Sequence, residues 1–178
     1  MNKVFKIPVF LFFIFFIFAC KNDDSSTDND FDSFVSYNND TVELTKAYIE
    51  IDDFYVDLVL FSDGIDIDQQ VGGVVGTGIT VNFNLFSGSQ TSLATGTYLL
   101  ELPNNTQSMD FFYYSNSAVN PGLVFSCLAD PVFSEPCLNG TLEVTSGGSD
   151  NTTLIFDLTD DLGNHVTGEW TGVITIIN

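Results

Sequence analysis

The alternation of apolar and polar residues constrains this chain more than any other feature. In the stretch GITVNFNLFS, the odd positions from 79 to 85 are apolar, while Thr80, Asn82 and Asn84 occupy the other face. Successive side chains of a strand point to opposite faces, so the pattern predicts an antiparallel strand buried on one side. The alternation recurs in three other groups: Phe54, Val56, Leu58 and Leu60; Leu154, Phe156 and Leu158; and Val166, Trp170, Ile174 and Ile176.

Turn residues separate these segments, for example Ser62-Asp63-Gly64 and Pro121-Gly122. Roughly eight to ten short strands at this spacing predict an all-β fold, an antiparallel β-sandwich, with a closed antiparallel β-barrel as the alternative. The segment TVELTKAYIEI at 41–51 also reads as a short helix. Its β-branched residues and the Asp52-Asp53 turn favour the first strand of a hairpin instead.

The composition indicates one globular domain, which we place at 34–178. The chain of 178 residues has 24 acidic residues, four lysines and no arginine, for a formal net charge of -20. Nucleic acids bind largely through Lys and Arg, so this charge excludes a nucleic-acid partner. Hydrophobic residues make up 44% of the chain, which is enough to fill a core.

The N-terminus has the pattern of a secretory signal peptide. Lys3 and Lys6 precede an apolar run from Ile7 to Ala19, and Cys20 follows it. This run is shorter than the roughly 20 apolar residues that a spanning helix needs. We therefore expect residues 1–19 to be removed. Residues 20–33 contain few apolar residues and should form an acidic, flexible tether.

Two features of this region resemble those of bacterial lipoproteins. The sequence Ile17-Phe18-Ala19-Cys20 resembles a lipobox, although Phe18 is bulkier than the usual residue there. The resemblance implies that Cys20 is acylated and becomes the mature N-terminus; an ordinary secreted protein is the alternative. The acidic stretch from Lys21 to Asp30 is similar to the export signal of Bacteroidetes surface lipoproteins. It implies an outer-membrane protein exposed at the cell surface, with a periplasm-facing orientation as the alternative.

Two longer stretches are similar to uncharacterised Bacteroidetes (flavobacterial) surface lipoproteins. They are GTGITVNFNLFSGSQTSLATGTYLLE and LIFDLTDDLGNHVTGEWTGVI. The resemblance spans about a third of the chain and implies an all-β sandwich behind a lipobox. It implies no activity.

The other two cysteines, Cys127 and Cys137, form an even set in an oxidising compartment, which predicts a disulfide. A zinc site is disfavoured because His165 is the only histidine. That single histidine and the lack of a Gly-x-Ser-x-Gly motif also give a catalytic triad little support. We expect His165 to lie in a surface turn.

Three further sites follow from local patterns. Asp63, Asp66 and Asp68 place several oxygen ligands in one loop and are candidates for Ca²⁺, although they lack the EF-hand order. Alternation in MDFFYY puts Phe112 and Tyr114 on one face, where they could form an exposed ligand platform if no neighbouring segment covers them. Asp40-Thr41-Val42 matches a short O-glycosylation motif of Bacteroidetes, which makes Thr41 a modification candidate.

Three functions are compatible with the sequence. The first is a non-enzymatic, lipid-anchored binding or scaffold module for glycans or an envelope protein, with no cofactor except the Ca²⁺ considered above. The second is a surface hydrolase that uses two carboxylates on glycans. The third is a structural surface component without a ligand.

Overall fold

The computed structural model describes residues 31–68, 70, 73–87, 92–100, 107–115, 122–127, 137–146, 151–160 and 162–177. For residues 111–115, 123, 124, 138, 146 and 160 it describes the backbone. This part of the chain contains fourteen strands and no helix. In chain order they are β1 Phe34–Tyr37, β2 Asp40–Glu43, β3 Lys46–Asp52, β4 Tyr55–Phe61, β5 Ile65–Asp68, β6 Gly73–Gly76, β7 Ile79–Phe86, β8 Gly96–Leu99, β9 Ser108–Ser115, β10 Gly122–Cys127, β11 Cys137–Ser146, β12 Thr152–Asp160, β13 His165–Gly172 and β14 Thr175–Ile177.

Twelve strands form one large, curled sheet with the shape of a half-barrel. Its order is β14-β3-β4-β7-β9-β8-β11-β12-β13-β1-β2, and β10 pairs with β9 outside this path. The pairs β14–β3 and β8–β9 are parallel, while the other pairs of this sheet are antiparallel. Strands β5 and β6 form a separate hairpin. The all-β prediction is confirmed, and the arrangement is sandwich-like.

The core lies on the inner face of the curled sheet. Phe83 on β7 and Phe156 on β12 meet edge to face, with ring centroids 5.2 Å apart. This contact brings the two halves of the sheet together as the layers of a sandwich. Other side chains of this core include Val56, Leu58, Leu60, Val81, Leu85, Tyr98, Leu142, Leu154, Leu158, Val166 and Trp170.

The β3–β4 hairpin confirms the strand interpretation of the ambiguous segment. Asp52 pairs with Tyr55 across the turn, and Asp53 has a φ of 52°, in the left-handed region that tight turns use. Residues 40–43 form the separate strand β2, which pairs with β1.

Two residues assigned to buried faces by alternation are exposed. Phe54 is 44% exposed because it belongs to the β3–β4 turn and precedes β4. Ile176 is 54% exposed because β13 ends at Gly172 and β14 is a new strand that pairs with β3. The alternation therefore does not continue in phase across either break.

Candidate functional site

The outer face of β3, β4 and β7 carries an exposed group of aromatic side chains at the end nearest the β3–β4 turn. Tyr55 and Phe86 are directly paired across β4 and β7, and their rings meet edge to face at 5.5 Å. Phe54 lies 6.1 Å from Phe86, ring to ring. Tyr55 is 54% exposed and Phe54 44%. These three residues, which we call the aromatic cluster, present apolar surface to solvent.

The next row along the same face is polar. Glu50 pairs with Asp57, Asp57 with Asn84, and Asn84 with Asp110, so four strands place four polar residues in register. We call these four residues the polar row. Directly opposed residues have Cβ atoms about 5 Å apart, and alternate residues of one strand are about 7 Å apart. The polar row is therefore adjacent to the aromatic cluster.

The carboxyl group of Asp57 is electrostatically unfavourable in its charged form. Although Asp57 is exposed as a residue, its carboxyl group is partly desolvated by its neighbours, and this desolvation, followed by repulsion from Glu50 and Asp52, raises the pKa of Asp57 above its ordinary value of 3.8. Glu50 and Asp52 both lie on β3, opposite β4. The fold thus places three carboxylates together, and Asp57 stays protonated to a higher pH than an isolated aspartate does.

The far end of this face is covered by the β5–β6 hairpin. Along β4, the outward-facing side chains change from exposed Tyr55 and Asp57 to half-buried Val59 and then to Phe61, which is 0% exposed. Ile65, at the start of β5, is 1% exposed. The outer face is consequently open at the turn end and closed at the hairpin end.

An ion pair attaches the hairpin to β3. Lys46 Nζ lies 2.7 Å from one carboxylate oxygen of Asp66, and Tyr48 Oη donates to the other at 2.8 Å. Lys46 also donates to the carbonyl of Ile65. The hydrogen bonds from Lys46 and Tyr48 lower the pKa of Asp66 to about 2, while burial and Asp66 raise the pKa of Tyr48. We call this contact the hairpin latch.

Between the hairpin and the polar row lies a groove of about 750 Å³, which we call the outer groove. Its volume is in the range of small-ligand sites, roughly 300–1,000 Å³. Polar lining comes from Glu50, Asp57, Asn82 and Asn84, and aliphatic lining from Ile67 and Val74 on the hairpin and from Ile176 and Ile177 on β14. The Oδ1 atom of Asn82 is buried and has no hydrogen-bond partner among the described residues. The groove combines hydrogen-bonding groups with apolar walls.

The predicted platform lies on a central strand of the sheet. Phe112 pairs with Asn82 and Ser126, and Tyr114 pairs with Thr80 and Leu123. The side chains of residues 111–115 lie outside the described part of the structure. The role of Phe112 and Tyr114 therefore stays a prediction, whereas the aromatic cluster is visibly exposed.

One of the three calcium candidates, Asp66, belongs to the hairpin latch. Asp66 already accepts hydrogen bonds from Lys46 and Tyr48, and Asp68 accepts one from the backbone of Gln70 at 2.8 Å. Asp63 is exposed in the β4–β5 turn. Among the residues that the structure describes, no three Asp, Glu, His or Cys side chains are grouped to hold a metal ion. A calcium site at these residues stays a prediction.

The predicted disulfide is present. Cys127 at the end of β10 is bonded to Cys137 at the start of β11, with Cα atoms 5.3 Å apart. Thr41 lies on β2 at one edge of the sheet, and its hydroxyl donates to Ser36 Oγ at 3.3 Å. Its glycosylation stays a prediction. Cys20 lies outside the described residues.

His165 is exposed, as expected, but it is the first residue of β13 and not part of a turn. Its Nε2 atom lies 2.6 Å from Asp157 Oδ1 on the neighbouring strand β12. Both side chains are about half exposed. An exposed pair of this kind contributes little stability.

The sequence did not indicate that a groove or an exposed aromatic cluster lies on this face. The outward positions of Asn82 and Asn84 were predicted correctly, and the alternation in YVDLVLF also places Tyr55 and Asp57 outward. What the local pattern lacks is the register that puts Tyr55 opposite Phe86 and Asp57 opposite both Glu50 and Asn84.

No family model, curated protein or solved structure matches this chain. In the described residues, no helical segment has the length and apolar character needed to cross a bilayer.

Proposed function

We propose that this protein is a lipid-anchored binding module at the outer membrane, displayed at the cell surface and capturing glycans in the outer groove. The observation that carries the binding proposal is the exposed aromatic cluster beside the polar row. Carboxylates only accept hydrogen bonds, while amides accept and donate, and sugar hydroxyls do both. The faces of aromatic rings are electron-rich and pack against the C–H groups of a sugar ring.

The charge of the site favours a neutral ligand over an anionic one. Glu50, Asp52 and Asp57 lie together on one face of a chain with a net charge of -20. Anionic chains would be repelled at short range, where screening by salt is weakest. Neutral, hydroxyl-rich glycans satisfy the acceptors without adding charge.

Binding is tested by probing a glycan array with the full-length chain and with Tyr55→Ala. We expect Tyr55→Ala to weaken binding at least tenfold, because it removes an exposed ring next to the polar row. Leu162→Ala is the matched control, since Leu162 is 80% exposed outside this face, and it should stay within twofold of wild type. Phe112→Ala and Tyr114→Ala test the platform predicted from the sequence. Equal binding by wild type and Tyr55→Ala would exclude the aromatic cluster, and no binding to any glycan would refute the glycan proposal.

Anchoring is tested separately through Cys20. A Cys20→Ser variant should lose incorporation of a labelled fatty acid and leave the membrane fraction. Protease added to intact cells should digest the wild-type domain if it faces the medium. Protection until the outer membrane is permeabilised would favour the periplasm-facing alternative.

One observation supports the hydrolase alternative. Glu50 and Asp57 are directly opposed on neighbouring strands. The pKa of Asp57 is raised, and a raised pKa is typical of the general acid in glycosidases. Incubating a bound glycan with the protein distinguishes the two functions. An unchanged chain length supports a binding module, while cleavage that is lost in both Asp57→Asn and Glu50→Gln supports the hydrolase.

A further inference from the structure

The outer groove is open at one end and closed at the other, and this asymmetry bears on which part of a glycan it holds. From Tyr55 to Phe61, β4 has seven residues, so its outer face extends over about 20 Å. Tyr55 is 54% exposed at the open end, and Phe61 is 0% exposed beneath the hairpin at the other. A ligand that contacts both the aromatic cluster and the groove must run along the strands toward the hairpin.

The closed end is firmly built. Ile65 is buried, Lys46 and Tyr48 bind Asp66 through the hairpin latch, and the rings of Tyr48 and Phe61 lie 5.6 Å apart. Gly64 and Thr77 also join the two ends of the hairpin by a backbone hydrogen bond of 3.0 Å. A chain that enters the groove along the strands therefore meets packed side chains at this end.

The groove next to this closed end offers contacts suited to one ring of a sugar. Ile67 and Val74, which are directly paired on the hairpin, supply apolar surface. Asn82 supplies an amide whose Oδ1 atom has no hydrogen-bond partner among the described residues. An amide group both donates and accepts hydrogen bonds, so Asn82 can bind the hydroxyl groups of a sugar from the lining of the groove.

We propose that the outer groove recognises the terminal ring of a neutral glycan chain, with the β5–β6 hairpin excluding any continuation of that chain. The terminal ring occupies the closed end, and the following rings pass the polar row and stack on the aromatic cluster. This proposal rests on the glycan-binding function above and specifies which part of the glycan is bound. It makes Val74 and Ile67 specificity-determining residues.

The test is a competition experiment with the full-length chain bound to a glycan surface. The competitors are starch, xylan, mannan and β-glucan, each as intact polymer and as a short hydrolysed fraction. If the groove binds chain termini, the intact polymer and the short fraction compete equally per mole of chain ends. The short fraction has more chain ends per gram, so it is by far the stronger competitor per gram. Equal competition per gram would overturn the proposal, because internal segments would then bind equally well.

A pair of variants locates the effect at the closed end. Val74→Trp should fill the groove and weaken binding at least tenfold. Val75→Trp is the control, because Val75 has nearly the same exposure, 37% against 38%, and does not line the groove. Circular dichroism and melting temperature verify that both variants fold.

The outcomes separate the two proposals. Unchanged binding by a folded Val74→Trp would contradict terminal recognition and leave glycan binding intact. Failure of the wild-type chain to bind any glycan surface would refute the proposed function, and terminal recognition with it.

Discussion

Asp57 links the candidate site to the stability of the fold. Its ordinary pKa is 3.8, and the folded-state pKa is raised by partial desolvation and by Glu50 and Asp52. Between these two values the folded chain binds more protons than the unfolded chain. Stability therefore falls as the pH rises through this window. Above it, the charged carboxylate opposes folding.

We therefore expect Asp57→Asn to be more stable than wild type at pH 7, by roughly 0.2–1 kcal/mol, the scale of a directly opposed pair on a sheet. The difference should shrink as the pH falls through the raised pKa toward 3.8. Urea unfolding at several pH values measures it. Asp63→Asn, at an exposed turn, controls for the loss of one negative charge. A wild type as stable as Asp57→Asn at pH 7 would contradict this account.

At Gly168 the core leaves no room for a side chain. A Cβ atom there would lie 2.1 Å from the ring of Phe156 and 2.5 Å from the backbone oxygen of Phe34. Gly168→Ala should therefore destabilise the protein by about 1–3 kcal/mol, the usual cost of overpacking. Gly73→Ala is the matched control, because nothing lies within 4 Å of its Cβ position. Similar melting temperatures for the two variants would contradict the packing argument.

At the scale of elements, the disulfide ties the end of β10 to the start of β11. Its cysteines are 10 residues apart in sequence. Replacing both by Ala should lower the free energy of unfolding by roughly 2–3 kcal/mol, because closing a short loop restricts the unfolded chain. Chemical denaturation of the double variant measures the loss. A reductant should lower the free energy of unfolding of the wild type toward that of the double variant. If the reductant also destabilises the double variant, the loss has a cause other than the disulfide.

Element prediction succeeded where the signal was local. The alternation in GITVNFNLFS predicted β7, and the Asp52-Asp53 turn predicted the β3–β4 hairpin, both of which are present. The order of the strands could not be predicted from local patterns, because the pairing of β7 with β9 or of β14 with β3 joins segments distant in sequence. The aromatic cluster was missed for the same reason, since Tyr55 and Phe86 are brought together by the pairing of β4 with β7.

At the scale of the whole molecule, a net charge of -20 makes the folded state repel itself. Salt should relieve this repulsion, since the Debye length falls from about 30 Å at 0.01 M to about 8 Å at 0.15 M. The melting temperature should rise with NaCl, by about 2–4 °C for each ~1 kcal/mol gained. An equal rise of the melting temperature with KCl would identify screening as the cause. No rise with either salt would contradict the proposed repulsion among the acidic residues.

Calcium at constant ionic strength separates specific binding from screening. A further stabilisation that is lost after chelation and in Asp68→Asn would support the predicted site at Asp63, Asp66 and Asp68. An unchanged melting temperature would refute that site.

The amino-acid sequence is enough to predict the all-β class, the outward direction of Asn82 and Asn84 and the pairing of the two cysteines, because these depend on local periodicity and on counting. It also supplied the hypothesis of an anchor at Cys20. The pairing of the strands in three dimensions is needed to show that Glu50, Asp57 and Asn84 form one row, that the aromatic cluster lies beside it, and that the hairpin closes one end of the groove. The physical reason is that register and strand order are set by burying all the apolar faces together, which no single segment encodes.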